Sequence, residues 1–141
     1  MLRAVVDPGV LISGLISPGG APADLLRRWI AGQCQLVWSP ALLDEFTTVC
    51  ARDRFREWFT VVEAERIVSV IRDCGEEHDD MSSALPAPPD PHDRYLVDLL
   101  ETSGADFLVT GDAALLAHRL PSDRIVSPRR MLEILDALES A

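Results

Sequence analysis

Two aspartates stand directly behind short apolar runs of the kind that form buried strands. Asp7 follows residues 4–6, and Asp112 follows the run "FLV" after a two-residue Thr-Gly link. In sheets of parallel strands, active sites lie beyond the carboxyl ends of the strands. The positions of Asp7 and Asp112 therefore predict two carboxylates at one edge of a sheet, where they could do chemistry.

Two further acids are predicted on helices beside these strands. In the helical pattern "PALLDEF", Glu45 lies at the boundary between the apolar face and solvent, while Asp44 points almost opposite that face. In the pattern "PHDRYLVDLL", Asp93 lies near the same boundary in the first turn, and Asp98 points away from the core. One end of the molecule is thus expected to carry four carboxylates: Asp7, Glu45, Asp93 and Asp112.

Four carboxylates in a small site require compensating positive charge. Like charges a few ångströms apart raise each other's pKa or recruit a metal ion. A cluster of oxygen ligands without His or Cys suits Mg²⁺ or Mn²⁺. Such a cation activates water and neutralises charge on a phosphoryl group, so the cluster indicates phosphodiester hydrolysis.

Each acid taken alone also has an ordinary structural explanation. Asp7 before Pro-Gly could begin a turn, and Glu45 could be a solvated helix acid. Asp93 could serve the start of a helix whose N-cap is Asp90, and Asp112 could cap the next helix. The functional interpretation depends on all four lying at one end.

The elements that must position these acids alternate between apolar strands and amphipathic helices. Ser39-Pro40 and Ser127-Pro128 each follow an apolar run and begin a helical pattern, because Ser suits the N-cap and Pro the first helical position. Further helices are predicted over 21–31, 61–74 and 91–103, a short edge strand within 76–80, and an extended loop over 82–90. This alternation predicts an α/β sandwich around a parallel sheet of four or five strands.

The composition suits one domain spanning residues 1–141 with an aliphatic core. Hydrophobic residues make up 48% of the chain and aromatic residues only 6%. The 23 acidic and 13 basic side chains give a formal net charge of −10, which argues against a broad basic surface for nucleic acid. A nucleic-acid enzyme whose acids are offset by bound cations remains compatible with this charge.

The cysteines and the hydropathy indicate a cytoplasmic protein. Cys34, Cys50 and Cys74 are odd in number and widely spaced, so we expect reduced thiols. The segment after Met1 lacks the pattern of a signal peptide, and no apolar run approaches the roughly 18 residues of a membrane span. We therefore expect no contact with a membrane.

Four segments together resemble the PIN-domain family, and within it the branch of VapC-like toxin components of toxin–antitoxin systems. They are "VVDPGVLISGLISPGG", "LVWSPALLDEF", "DPHDRYLVDLLETSGADFLVTGDAALL" and "IVSPRRMLEIL", and they cover nearly the whole chain in the family's order. The resemblance implies a three-layer α/β/α fold with a central parallel sheet of about five strands. It also implies a Mg²⁺- or Mn²⁺-dependent ribonuclease that cleaves RNA, forms homodimers and is blocked by a cognate antitoxin.

The resemblance assigns roles residue by residue. The family's four metal-binding and catalytic acids fall on Asp7, Glu45, Asp93 and Asp112, the same four that the predicted geometry selects. Asp90 matches a further acid of this branch, and it is expected either to support the ligands or to cap the helix. Thr110 is expected to support the ligands from behind.

The first segment departs from the family pattern. Where Asp7-Pro8-Gly9 stands, the family usually has small polar residues after the aspartate, so the side-chain hydroxyl and amide that would support Asp7 are missing. Such partners matter to metal affinity by roughly 10- to 100-fold, so the departure bears on catalysis, while the four acids still predict metal binding. The alternative function is a PIN-like module that binds RNA or a protein without cleaving. Restoring the polar residues by Pro8→Thr with Gly9→Asn is predicted to raise metal affinity or activity.

Two further features of the sequence bear on an alternative function and on contacts with a partner. A phosphatase with an aspartyl nucleophile often carries a second aspartate two residues on, which Asp7 lacks because Gly9 stands there. Three tryptophans are candidates for apolar contact with a partner: Trp29, Trp38 and Trp58. For Trp38, packing in the core is the better explanation.

Overall fold

The computed structural model describes residues 1–140, which form five β-strands and seven α-helices. The strands are β1 (Arg3–Val6), β2 (Gln35–Trp38), β3 (Glu76–Glu77), β4 (Phe107–Val109) and β5 (Ile125–Val126). The helices are α1 (Pro8–Ile16), α2 (Ala21–Ile30), α3 (Pro40–Cys50), α4 (Val61–Cys74), α5 (Arg94–Ser103), α6 (Ala113–Leu116) and α7 (Pro128–Glu139).

The strands form one parallel sheet in the order β3-β2-β1-β4-β5. Its middle strands are apolar, and Val5, Val37 and Leu108 are fully buried. Helices flank the sheet in a three-layer α/β/α arrangement. The predicted fold class is thereby confirmed, as is the short edge strand, which is β3.

The two predicted Ser-Pro helix starts are confirmed in detail. The Ser39 hydroxyl accepts a hydrogen bond from the amide of Leu42, and the Ser127 hydroxyl accepts one from the amide of Arg130. In each helix proline occupies the first turn, where the backbone N–H it lacks would have no partner. These caps fix the start of α3, which carries Glu45, and of α7.

Helix α1 was not expected from the sequence. The Pro8-Gly9 pair predicts a bend, yet Pro8 is the first residue of α1 and Asp7 is its N-cap. The Asp7 carboxylate accepts a hydrogen bond from the Gly9 amide at 3.0 Å. The bend and the helix start use the same residues, because proline suits the first helical turn as well as a turn.

The helix predicted over 91–103 is divided in two. Pro91–Asp93 form a 3₁₀ turn, and α5 follows it directly. Asp90 caps the 3₁₀ turn as predicted, accepting a hydrogen bond from the His92 amide at 2.9 Å. Gly104 ends α5 with a left-handed φ of 68°.

The helical pattern directs Asp98 away from the core, yet the side chain is not exposed to solvent. Asp98 is buried, and its carboxylate accepts hydrogen bonds from the amide and the hydroxyl of Ser83 at 3.1 and 2.7 Å. Arg94 donates to the same carboxylate at 3.1 Å. The extended loop over 82–90 covers the side of α5 that the helical pattern left exposed, so the carboxylate binds that loop.

Among residues 1–140, no single helix is long and apolar enough to cross a membrane. Helices α1 and α2 reach that length and composition only as a pair, and they are bent by 101° to each other.

Candidate active site

One cleft of about 420 Å³ lies at the carboxyl edge of the sheet. Its charged lining consists of the four predicted acids: Asp7, Glu45, Asp93 and Asp112. The remaining lining comes mainly from α1, with Pro22 from the start of α2 and Pro128 from the start of α7. We call this the acidic cleft. The fold thus brings together the four carboxylates that the sequence selected.

Asp7 is placed by the register of the two central strands. Val6 pairs with Val109, and the Asp7 amide donates to the carbonyl of Val109 at 2.9 Å. Thr110, the next residue of that chain segment, is therefore beside Asp7, and its hydroxyl donates to Asp7 Oδ2 at 2.8 Å. With the Gly9 amide on Oδ1, both carboxylate oxygens have a donor.

Asp7 has polar support although Pro8 and Gly9 supply no polar side chain. The hydroxyl comes from Thr110 on the neighbouring strand end, and the amide comes from the backbone of Gly9. Each oxygen of the Asp7 carboxylate thus has a hydrogen-bond donor without a polar side chain at position 8 or 9. The sequence predicts Thr110 as a supporting residue, but not its bond to Asp7 in particular, which joins residues 103 apart.

Asp112 caps a helix as predicted and also lies in the acidic cleft. Its Oδ1 accepts a hydrogen bond from the Ala114 amide at 2.9 Å, which makes it the N-cap of α6, while the side chain lines the acidic cleft. Its own amide donates to the Thr110 hydroxyl at 3.1 Å. Thr110 consequently connects Asp7 and Asp112 through its hydroxyl.

Glu45 is half-buried on α3, as its boundary position predicted, and Asp44 is exposed. The carboxylate of Glu45 accepts a hydrogen bond from the hydroxyl of Tyr95, the chain's single tyrosine. Burial and the adjacent Glu45 carboxylate both raise the pKa of the Tyr95 phenol above its ordinary value. The sequence prediction missed Tyr95, whose only local signal is its position two residues after Asp93.

Asp93 lies at the junction between the 3₁₀ turn and α5, and its side chain makes no capping hydrogen bond. Its pKa is raised to about 6, first by burial and then by the negative charges of neighbouring acids. In decreasing order these are Asp7, Asp90, Asp112 and Glu45. Asp90 does not line the cleft, but it caps the 3₁₀ turn and adds to the negative field there.

The donor set of the acidic cleft fits a hard divalent cation. Four carboxylates meet there without a histidine, cysteine or arginine among the lining residues that the structure describes. Within residues 1–140, no three acid, His or Cys side chains already stand at metal-binding spacing. Carboxylates repel one another until a cation compensates their charge, and this repulsion adds to the burial that raises the pKa of Asp93.

Comparisons with known proteins agree with the architecture. The model of the PIN domain matches residues 3–114. A similar solved structure is that of PAE2754 from Pyrobaculum aerophilum, which is 17% identical and matches 96% of this chain and 90% of its own with a TM-score of 0.62. At this identity the likeness concerns the fold alone, and no curated protein matches the chain. Since the PIN model matches most of the sequence, the chain belongs to the PIN domain family, whose members are generally nucleases.

Proposed function

We propose that this chain is an endoribonuclease that hydrolyses RNA phosphodiester bonds with Mg²⁺ or Mn²⁺ held by Asp7, Glu45, Asp93 and Asp112. The observation that carries the proposal is the meeting of four carboxylates from four segments of the chain in one cleft. When bound, a divalent cation supplies a Lewis acid that offsets charge on the phosphodiester.

The chain's own residues hold three of these carboxylates in fixed orientations. The Thr110 hydroxyl and the Gly9 amide orient Asp7. The Tyr95 hydroxyl orients Glu45, and the Ala114 amide orients Asp112. Ligands that are oriented before the cation arrives lose less freedom on binding, so these hydrogen bonds support metal affinity.

Cleavage of single-stranded and structured RNA with Mn²⁺ or Mg²⁺, and with chelator, tests the proposal. Glu45→Gln and Asp93→Asn should each lower cleavage by about 100-fold or more, because they remove a ligand charge. Asp44→Asn is the matched control, since Asp44 precedes Glu45 on α3 but is exposed. Cleavage that survives chelation, or that Asp93→Asn leaves intact, would contradict the proposal.

A PIN-like module that binds RNA or a protein partner without cleavage is the second candidate. It is favoured by the spacing of the acids, since no three within residues 1–140 already stand at ligand distance. Calorimetric titration with Mn²⁺ separates the two functions. A non-cleaving module should bind the metal weakly or not at all, whereas the ribonuclease should bind it through the four acids.

We further propose that the protein is a cytoplasmic toxin that a cognate antitoxin neutralises, and that it forms homodimers. The net charge of −10 suits a partner with a basic segment. Trp29 and Trp38 are buried, but Trp58 is 48% exposed and is followed in the sequence by the exposed Val61 and Val62, which leaves apolar side chains for a contact. Light scattering of the purified chain, alone and with the product of the upstream gene, tests both assemblies.

A further inference from the structure

A second cleft of about 490 Å³ carries the opposite charge from the acidic cleft. Its lining includes Arg119, Arg124, Arg130 and the half-buried His118, and among the lining residues within 1–140 the only acid is Asp123. We call it the arginine cleft. In a chain with a net charge of −10, this is a local concentration of basic side chains.

Two helices connect the arginine cleft to the acidic cleft. Asp112 at the start of α6 lines the acidic cleft, while Leu116 at the end of α6 lines the arginine cleft. The four residues of α6 span about 6 Å. Pro128 at the start of α7 lines the acidic cleft, and Arg130, two residues on, lines the other. The two clefts are therefore neighbours, separated by about one helical turn.

The arginines of this cleft differ in how firmly they are engaged. Arg124 donates to Glu101 and to two backbone carbonyls, so it belongs to the framework. Arg119 is exposed and makes no ion pair within residues 1–140. Arg130 pairs with Glu133 at 3.2 Å, but both side chains are more than half exposed and such pairs are weak. Arg119 and Arg130 are thus available to a ligand.

We propose that the arginine cleft binds the phosphates of an RNA strand whose scissile bond lies in the acidic cleft. The inference rests on the proposed ribonuclease function and adds the path of the substrate. A guanidinium presents paired donors that match phosphate oxygens, and every basic residue of this chain apart from histidine is an arginine. Because the molecule as a whole repels RNA, a local positive site beside the cleavage site holds the strand there.

The experiment replaces the available arginines and measures RNA binding. Arg119→Gln with Arg130→Gln is made in the Asp93→Asn protein, so that cleavage does not interfere. The control pair is Arg66→Gln with Arg72→Gln, both exposed on α4, which packs on β2 away from the β5 edge. Fluorescence anisotropy of a labelled single-stranded RNA is followed over a series of salt concentrations with Mg²⁺.

The cleft pair should weaken RNA binding by about 10-fold or more and should lower the salt slope by about 0.7 for each arginine replaced. The control pair should change neither quantity. Equal losses with both pairs would show a general charge effect and overturn the proposal, as would no loss with either pair. Arg119→Gln alone repeats the test without disturbing an ion pair, and thermal melting verifies the fold of each variant.

The outcomes also separate this inference from the proposed function. RNA that binds through the arginine cleft but is never cleaved by the native chain contradicts the ribonuclease alone. Cleavage that is independent of Arg119 and Arg130, with unchanged KM, contradicts the arginine cleft alone. Displacement of the RNA by polyglutamate at equal charge concentration would identify a site for acidic protein segments and would overturn the RNA assignment.

Discussion

At the scale of single residues, the Thr110 hydroxyl connects two acids that the chain keeps far apart in sequence. It is fully buried, donates to Asp7 Oδ2 at 2.8 Å and accepts from the Asp112 amide at 3.1 Å. A hydroxyl can donate one bond and still accept others, so Thr110 satisfies both neighbours at once. No apolar residue of the same shape could do so.

Thr110→Val should therefore weaken Mn²⁺ binding by about 10- to 100-fold, because Asp7 loses its oriented donor. The variant should also unfold more easily by about 1–2 kcal/mol, since the Asp112 amide loses its acceptor. Titration calorimetry and urea unfolding measure the two effects. Thr110→Ser retains the hydroxyl and should retain most of the affinity; a valine variant that binds Mn²⁺ as the native chain does would contradict the assignment.

Tyr95 gives a second residue-scale test that needs neither metal nor substrate. Because it is the only tyrosine, the absorbance change of phenol ionisation reports this one side chain. The negative Glu45 carboxylate raises the phenol pKa, so Glu45→Gln should shift ionisation to lower pH, while burial keeps it above the ordinary value. Asp44→Asn should leave the titration in place. An unshifted titration in Glu45→Gln would mean that the two side chains do not interact in solution.

At the scale of elements, the junction between α4 and β3 depends on a glycine without a special backbone angle. The φ of Gly75 is −84°, which any residue adopts. A Cβ there, however, would lie 2.5 Å from the Ile71 carbonyl oxygen and 2.6 Å from Trp38 Cδ1. Trp38 ends β2 and precedes the Ser39 cap of α3, so this close approach belongs to the framework that positions Glu45.

Gly75→Ala is consequently expected to destabilise the fold by about 1–3 kcal/mol through overpacking. Gly19→Ala is the matched control, because a Cβ at Gly19 would meet no atom within 4 Å. Urea unfolding of both variants gives the comparison. Equal stability of the two would show that Trp38 moves aside without cost.

The sequence predicted those elements whose signals are local. Apolar runs identified the strands other than β3, and Ser-Pro pairs identified the starts of α3 and α7, because capping depends on residues a few positions apart. The misses depend on contacts between distant segments. The loop that buries Asp98 reaches it only when the chain folds, and the Tyr95 bond to Glu45 joins residues 50 apart. Thr110 is predicted as a supporting residue, but the acid that its hydroxyl binds, Asp7, is set by the pairing of distant strands. The four acids were predictable because parallel strands and their helices bring their ends to one edge.

At the scale of the whole molecule, folding gathers negative charge at one end of a chain that is already strongly acidic. This arrangement disfavours the ionised form of Asp93, since burial and four neighbouring acids raise its pKa from an ordinary 3.8 to about 6. A raised carboxyl pKa means that the folded state holds the proton more tightly than the unfolded state does. The contribution to stability is therefore complete below about pH 4 and is lost as the pH rises through about 6.

Asp93→Asn removes a charge that the fold disfavours. Without metal, at about pH 8, where the native carboxylate is ionised, the variant should therefore have a higher Tm. The expected rise is on the order of a degree or two, because solvent screens part of the interaction. At about pH 4 the difference between the two proteins should vanish, because the native carboxyl is then mostly protonated. Saturating Mn²⁺ should reverse the order at pH 8, since only the native site keeps all four ligand charges. Thermal melts with chelator and with Mn²⁺ measure both orders. A variant less stable than the native chain at pH 8 in chelator would show that the acids do not repel one another in the folded state.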